Sequence, residues 1–292
     1  PSPVVLANQR VGGSGSQMLT IANTAAAGAF SEDLNASFSA NAGNAAGTGT
    51  ISGRLAGTSN TGTGSMSVAV DTSVAGARSG TVTVNYQTAG AVGGVSNGLG
   101  VADVGSQIIN VSGNVYQVAA GQIVTAPLNF GTVQVGQLVS QNLVLRNSAT
   151  GASGFVEDLN ASFGAAGDAR ISGIGGLNGI LAGSNSSAAN GTMTVNVNTS
   201  AAGSINSSIA VNFLSAGGVN GVSNGLGELG VGSASFAVLG TIAGQVIDQA
   251  RPVINGVPNP GAVTVDLGNV RINTAANQNL SVLNQATGNP QA

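Results

Sequence analysis

The sequence predicts an all-β protein of tandem two-sheet sandwiches, and three observations carry that prediction. Apolar residues alternate with period two in short runs. Clusters of Gly, Asn, Ser and Thr separate the runs, and no segment sustains a helical period. The third observation is duplication. The stretch Pro3–Tyr116 is written again as Pro127–Ala243, and a third copy begins near Val263 and breaks off at Ala292. The block Glu32-Asp33-Leu34-Asn35-Ala36-Ser37-Phe38 recurs unchanged at Glu157–Phe163, and Gly94-Val95-Ser96-Asn97-Gly98-Leu99-Gly100 recurs at Gly221–Gly227. The offset drifts only from about 124 to about 127, so the copies differ by single-residue insertions. A unit this long is a whole domain, since solenoid units run roughly 20–50 residues.

In the first copy, strands are expected at Pro3–Leu6, Gln17–Asn23, Leu34–Ser39, Gly49–Leu55, Gly64–Asp71, Gly80–Gln87 and Ser106–Val118. Met66, Val68 and Val70 alternate with Ser65, Ser67 and Ala69, the pattern of a half-buried strand. Val82 and Val84 alternate with Thr81, Thr83 and Asn85 in the same way. The second copy repeats the series at Pro127–Phe130, Asn142–Asn147, Leu159–Phe163, Ala169–Gly173, Gly191–Asn198, Ser207–Phe213 and Ala234–Val246. About seven short strands so spaced form a β-sandwich. The tail repeats only an opening: Val265–Ile272 follows Leu128–Val135, and Asn284 falls where Asn147 does. Asp248–Pro260 holds Pro252, Pro258 and Pro260 and reads as a semi-stiff connection. The expected organisation is one domain over 1–120, a second over 121–247, a linker over 248–262 and an unfinished third domain over 263–292. Two strands cannot close a core, so that last stretch is expected to continue in a longer chain or to pack on something else.

Hydrophobic residues make up 42% of the chain but aromatics only 3%, with no Trp. Each core is therefore expected to consist of small branched side chains, with Phe38 or Phe163 as the largest buried member. Charged residues are 6%, and the seven basic ones are all Arg, so solubility rests on Ser, Thr, Asn, Gln and exposed backbone. Disorder combines low hydrophobicity with high net charge; here the net charge is −3 and the mean hydropathy +0.30. No apolar run approaches the roughly 18 residues of a membrane-spanning helix. Seven scattered Arg in an acidic chain make no phosphate-binding patch, so nucleic acid is not an expected partner. Cys is absent and locates no compartment. The Gly/Ala/Ser/Asn/Thr/Val bias with little charge points instead to secretion. Pro1 is not an initiator, and the chain is expected to be a piece of a longer one.

The stretch Leu128-Asn129-Phe130-Gly131-Thr132-Val133-Gln134-Val135-Gly136 leads into Asn142-Leu143-Val144-Leu145-Arg146-Asn147. It resembles the start of the ASPM–SPD-2–Hydin type of immunoglobulin-like domain, where such a segment precedes a strand ending in Asn. Taken with the two recurring blocks, it looks like the bacterial choice-of-anchor D repeats. The first copy departs from the motif, with Leu6-Ala7 in place of Phe130-Gly131, and the third has Asn273 for the second Gly. The resemblance implies tandem immunoglobulin-like sandwiches, an extracellular or cell-surface location and a structural role; it brings no catalytic residues.

Without His, Cys or Lys, the Ser–His–Asp, Cys–His and Ser–Lys arrangements cannot be assembled. No catalytic, cofactor-binding or metal-binding residue is assigned, and no enzyme activity is expected. The acidic pairs Glu32-Asp33 and Glu157-Asp158 recur in both copies. Adjacent strand residues face opposite sides, so a structural role is expected, as acceptors for loop N–H groups or as partners of Arg. Ca²⁺, which takes about six to eight oxygens, and a ligand site are the alternatives, although the D-x-D-x-D-G loop is missing. Gly94–Gly100 and Gly221–Gly227 lack a following helix and a Lys-Ser/Thr, so the phosphate-loop reading fails. Asn97-Gly98 and Asn224-Gly225 are expected as the turn between the last two strands, with a ligand-binding loop as the functional alternative. Asn212-Phe213 and Ala243 stand in the places of Tyr86 and Tyr116, which belong to no shared site.

Sheet edges are usually guarded by Lys, Pro or inward charge; Lys is missing and Pro avoids the predicted strands. Self-association through sheet edges or the C-terminal strand around Val263–Ile272 is the expected partnership. The functional expectation is a structural repeat module of a stalk, fibre or extracellular matrix. An adhesin binding a glycan or surface ligand through its end loops, and an accessory array of a larger secreted enzyme, are the alternatives.

Overall fold

The computed structural model describes residues 2–60, 65–201, 203–242, 250–258 and 261–285. The expected strand positions Gly64 and Ala243–Val246, and parts of the expected linker and tail, lie outside these residues. The first copy runs β1 (Val4–Val5), β2 (Gln9–Arg10), β3 (Ser16–Leu19), β4 (Leu34–Gly43), β5 (Ala45–Thr48), β6 (Thr50–Arg54), β7 (Met66–Val70), β8 (Gly76–Thr88), β9 (Ala91–Val92), β10 (Val95–Ser96) and β11 (Ala102–Tyr116). One sheet has the order β1-β11-β8-β4-β6, with β2 also on β11; the other has the order β3-β7-β5. Leu19, Ile51, Met66, Val68, Val82 and Val111 share one buried cluster, so the two sheets make a sandwich. Met66, Val68 and Val70 are the buried set of β7, as a period of two requires.

The second copy follows with β12 (Gly121–Ile123), β13 (Val139–Leu143), β14 (Leu145–Asn147), β15 (Leu159–Ala166), β16 (Ile171–Ile180), β17 (Gly191–Val197), β18 (Ile205–Ser215), β19 (Gly218–Val219), β20 (Val222–Ser223) and β21 (Leu229–Ile242). A single 3₁₀ turn at Ala188–Asn190 is the one helical element among the described residues. Leu143, Leu159, Leu177, Ile180, Met193 and Phe213 belong to a core of its own.

The segments Gly49–Leu55 and Ala169–Gly173, expected as matching strands, are parts of one longer path that changes partners, between two sheets in the first copy and within one sheet of order β13-β17-β16-β15-β18-β21 in the second. The path pairs first with β7 or β17 and then with β4 or β15. The change comes at Gly49 (φ +91°) and Gly175 (φ +89°), where a Cβ would stand 2.0 Å from Ser65 O and 2.1 Å from Thr192 O. Only glycine fits there. Two further expectations are corrected. Pro127–Phe130 is irregular, and the strand that opens the second copy is β12, upstream of it. Phe38 and Phe163 are partly buried flaps, not core centres. Each ring occupies the space a Cβ on Gly47 or Gly173 would need, so it covers the crossing strand from its edge. Met66 and Met193 are the fully buried centres.

In the tail, β22 (Pro252–Ile254), β23 (Val257–Pro258) and β24 (Val282–Asn284) pair in the order β23-β22-β24. Residues read as a linker therefore form a hairpin about Asn255-Gly256, both at positive φ, and Pro252 and Pro258 sit in strands. Val263–Ile272 forms no strand, and its counterpart Leu128–Val135 is irregular too. The pairing of β22 with β24 copies that of β12 with β14: Asn284 Oδ1 accepts from Arg251 N at 2.9 Å, and Asn147 Oδ1 from Ala120 N at 3.1 Å. No helix among the described residues is long and apolar enough to cross a membrane.

Two stability predictions follow from these positions. Met193→Ala should cost about 2–5 kcal/mol and more than Phe163→Ala, by urea unfolding of the full chain. Before β16, Asp168 accepts from the Arg170 guanidinium at 3.1 and 2.7 Å and from its main-chain N–H at 2.8 Å. Those side-chain bonds first, then the main-chain one, hold the Asp168 carboxyl at about 2 rather than 3.8. A depressed carboxyl stabilises the fold above its ordinary pKa and loses that contribution as pH falls through the folded value. Asp168→Asn should therefore weaken the fold near neutral pH, and the difference should vanish at about pH 2, read from urea midpoints across pH.

Candidate functional site

The two recurring blocks are bonded to each other in both copies. Between β8 and β11 the chain makes the small hairpin β9–β10, closed by Gly93-Gly94; between β18 and β21 it makes β19–β20, closed by Asn220-Gly221. The turn residues have φ of 60° and 82°, and of 51° and 77°, the type I′ geometry that Gly and Asn tolerate. Asp33 receives the turn amides of Gly93 and Gly94 at 3.1 and 2.7 Å, and Asp158 those of Asn220 and Gly221 at 3.1 and 2.8 Å. The neighbouring Glu serves the next bend. Asn97 Nδ2 donates to Glu32 Oε1, and Asn224 Nδ2 to Glu157 Oε1 at 2.7 Å.

The adjacent acids thus turn to different atoms of one loop. Asn97-Gly98 is the second bend of that loop rather than the hairpin turn: Asn97 Oδ1 accepts from Leu99 N at 2.9 Å, and Asn224 Oδ1 from Leu226 N at 3.0 Å. Asn35 and Asn160 in the first block accept from Gly53 N and Gly179 N, each at 2.8 Å. Among the described residues, no three acidic side chains lie close enough to hold a metal ion.

In the second copy this site is also the joint with the first. Glu157 has 0% exposure, and its partners come from both copies. Arg10 Nε donates to Oε1 at 3.0 Å and Nη2 to Oε2 at 3.1 Å, while Ser215 Oγ donates to Oε2 at 2.5 Å. Arg10 lies on β2 beside Tyr116, the last residue of β11, where the chain leaves the first copy. Its Nη2 also donates to Gly227 O at 2.5 Å, and Asn8 Nδ2 donates to Asn224 O at 2.8 Å.

The connecting chain is part of the same structure. Gln117 N donates to Phe155 O at 2.8 Å, Glu157 N donates to Gln117 O at 2.9 Å, and the Tyr116 and Phe155 rings meet at 5.5 Å. Ala119 N then donates to Ser215 Oγ at 2.9 Å, β12 pairs along β14, and Ile123 packs on the second core. Asn147 is fully buried and donates to Glu157 O at 3.0 Å and to Ile180 O at 3.2 Å, which ties the joint to the crossing strand.

A buried bidentate carboxylate–guanidinium pair is strongly directional, so this arrangement fixes orientation between modules. Sequence reasoning placed Glu157 at an ion pair or loop contact but missed Arg10 and Ser215. Arg10 is 147 positions away from its partner, and no local spacing links the two. The available signal was Arg271, which stands in the third copy where Arg10 stands in the first and Gln134 in the second.

Arg10→Ala leaves a buried carboxylate without its cation. It should lower the stability of the second copy by about 3–5 kcal/mol, although Arg10 belongs to the first. Arg10→Ala combined with Glu157→Gln should recover most of that loss. Calorimetric unfolding of the full chain measures both.

No family model matches the chain, and no curated protein does. Solved structures do. An endo-fucoidan hydrolase of glycoside hydrolase family 107 is 12% identical, with a TM-score of 0.22 over 81% of this chain and 27% of its own. Protocadherin gammaB7, in a cis-dimer structure, is 11% identical with a TM-score of 0.36 over 87% of this chain and 49% of its own. A chaperone–tip adhesin pre-assembly complex from the Csu pili of Acinetobacter baumannii is 14% identical, with a TM-score of 0.25 over 81% and 98%. The chain thus spans less than half the length of the hydrolase and about half that of the protocadherin. The all-β sandwich assignment rests on the chain's own sheets and cores.

Proposed function

We propose that the chain is a non-enzymatic structural module, an immunoglobulin-like array of a secreted or cell-surface bacterial stalk, fibre or matrix. The observation that carries this reading is the joint, where the buried Glu157–Arg10 pair and β12 lock two successive modules at one angle. A spacer needs that property, whereas domains on a flexible linker move independently by default. The resemblance to choice-of-anchor D repeats supports the location, and the lack of His, Cys and Lys supports the absence of catalysis. Association between chains belongs to the same reading. β24 is an outer strand of its sheet, and Leu267, Val270, Ile272 and Leu280 of the tail are exposed.

The chain has no Cys, so spin labels go only where cysteines are introduced. With labels at Thr50→Cys and Thr192→Cys, electron–electron double resonance should give one narrow distance distribution. Arg10→Ala should broaden it. A broad distribution in the otherwise native chain would sink the rigid-array reading.

A further inference from the structure

The first copy carries the same site as the second, but open. Phe30 stands where Phe155 meets Tyr116, and it is 98% exposed. Glu32 stands at the place of Glu157; it accepts from Asn97 and has no basic partner among the described residues. Asn23 ties Glu32 O and Arg54 O as Asn147 ties Glu157 O and Ile180 O. Among the described residues its Oδ1 accepts from Ala25 N alone, where Asn147 Oδ1 accepts from Ala149 N and also from the incoming Ala120 N. Thr88 holds the position of Ser215, opposite the same Leu of the recurring block, and Tyr86 that of Phe213.

Between these residues lies a cleft of about 650 Å³, lined by Ile21, Asn23, Glu32, Tyr86, Thr88 and Ile109 among others. In the second copy Ala119–Ile123 runs through the corresponding space, and Leu159 there is fully buried where Leu34 is only partly so. The cleft also has an unused strand edge. Asn23 N donates to Thr58 O and Asn60 N to Ile21 O. The alternation of an antiparallel ladder therefore turns the N–H and C=O of Ala22 the other way, along the cleft. Arg146, at the matching position, pairs there with Gln122 of β12.

We propose that this end of the first copy is an acceptor for another module of the same kind. Its exit segment, extended and of the Ala119–Ile123 type, lies along Ala22, and an arginine at the Arg10 position seats on Glu32. An aromatic residue at the Tyr116 position covers Phe30. Shape selects the segment as well as charge. A Cβ on Gly121 would stand 2.3–2.6 Å from atoms of the Phe213 ring, and Tyr86 supplies the ring in the first copy, so the cleft admits glycine at that point and excludes larger residues. This inference rests on reading the chain as an array module, and the two can fail separately.

The test is titration of the full chain with a synthetic peptide copying Gln117–Thr125. The chain has no Trp and two Tyr, so in the Tyr116→Phe variant Tyr86 is the sole strong emitter, and the peptide has none. A saturable change in Tyr86 emission is expected, with about tenfold slower hydrogen exchange at the Ala22 and Thr24 amides. The same peptide with Gly121→Leu should produce neither. Absence of any saturable change, or equal binding by both peptides, overturns the proposed segment.

The arginine contact is read in a chain with a further copy of residues 1–124 placed ahead of Pro1. There Glu32→Gln should lower the melting temperature more than it does in the native chain, and equal effects would overturn that contact. Narrow spin-label distances with no peptide binding would defeat this inference alone, whereas broad distances would defeat the array reading whatever the peptide does.

Discussion

A carboxylate taken wholly out of water costs several kcal/mol unless donors replace its hydration. Glu157 meets that demand with Arg10, Ser215 and Asn224, which come from the first copy, from the end of β18 and from the loop before β21. None is a neighbour in sequence, so the site exists only when the second sandwich is folded and the first is seated on it. The joint therefore belongs to the second domain's own hydrogen bonding. Its connecting chain is a strand with a core residue, Ile123, and an end fastened to the buried Asn147.

The same requirement explains why two blocks recur unchanged while the rest of each copy varies. Asp33 and Asp158 take the two amides of a type I′ turn, whose positive φ angles suit Gly and Asn. The Glu beside each holds the next bend through Asn97 or Asn224. Changing either block would strand polar groups in the other, so both stay constant. A position that only fills space is freer: Ile51 becomes Leu177.

Much of the fold was legible in the sequence. The period-two runs Met66–Val70 and Gly80–Gln87 are strands with the expected faces buried, and the copy-to-copy offset placed Asn284 at the position its bond to Arg251 now marks. Expectations missed where the physics was not local. Phe38 and Phe163 had the volume of core residues, yet the crossing strand passes beneath their rings at Gly47 and Gly173 and leaves them at the edge. Residues 252–258 looked like a Pro-stiffened linker, because composition shows backbone constraint but not the partner strand Val282–Asn284.

Sequence alone determined the duplication, the all-β character of the copies and the identity of their shared polar residues, because these depend on local alternation, turn chemistry and repetition. Tertiary structure decided which of those residues meet. The acidic pair serves a loop about sixty residues away, as the separations of 60 and 62 between Asp33 and Gly93 and between Asp158 and Asn220 record. Arg10 reaches across 147 positions to close the joint. Such contacts follow from how sheets stack and where strands change sides, and no period along one chain encodes them. Hence the same Glu is buried and paired in the second copy but open in the first, although the six residues that follow it are identical.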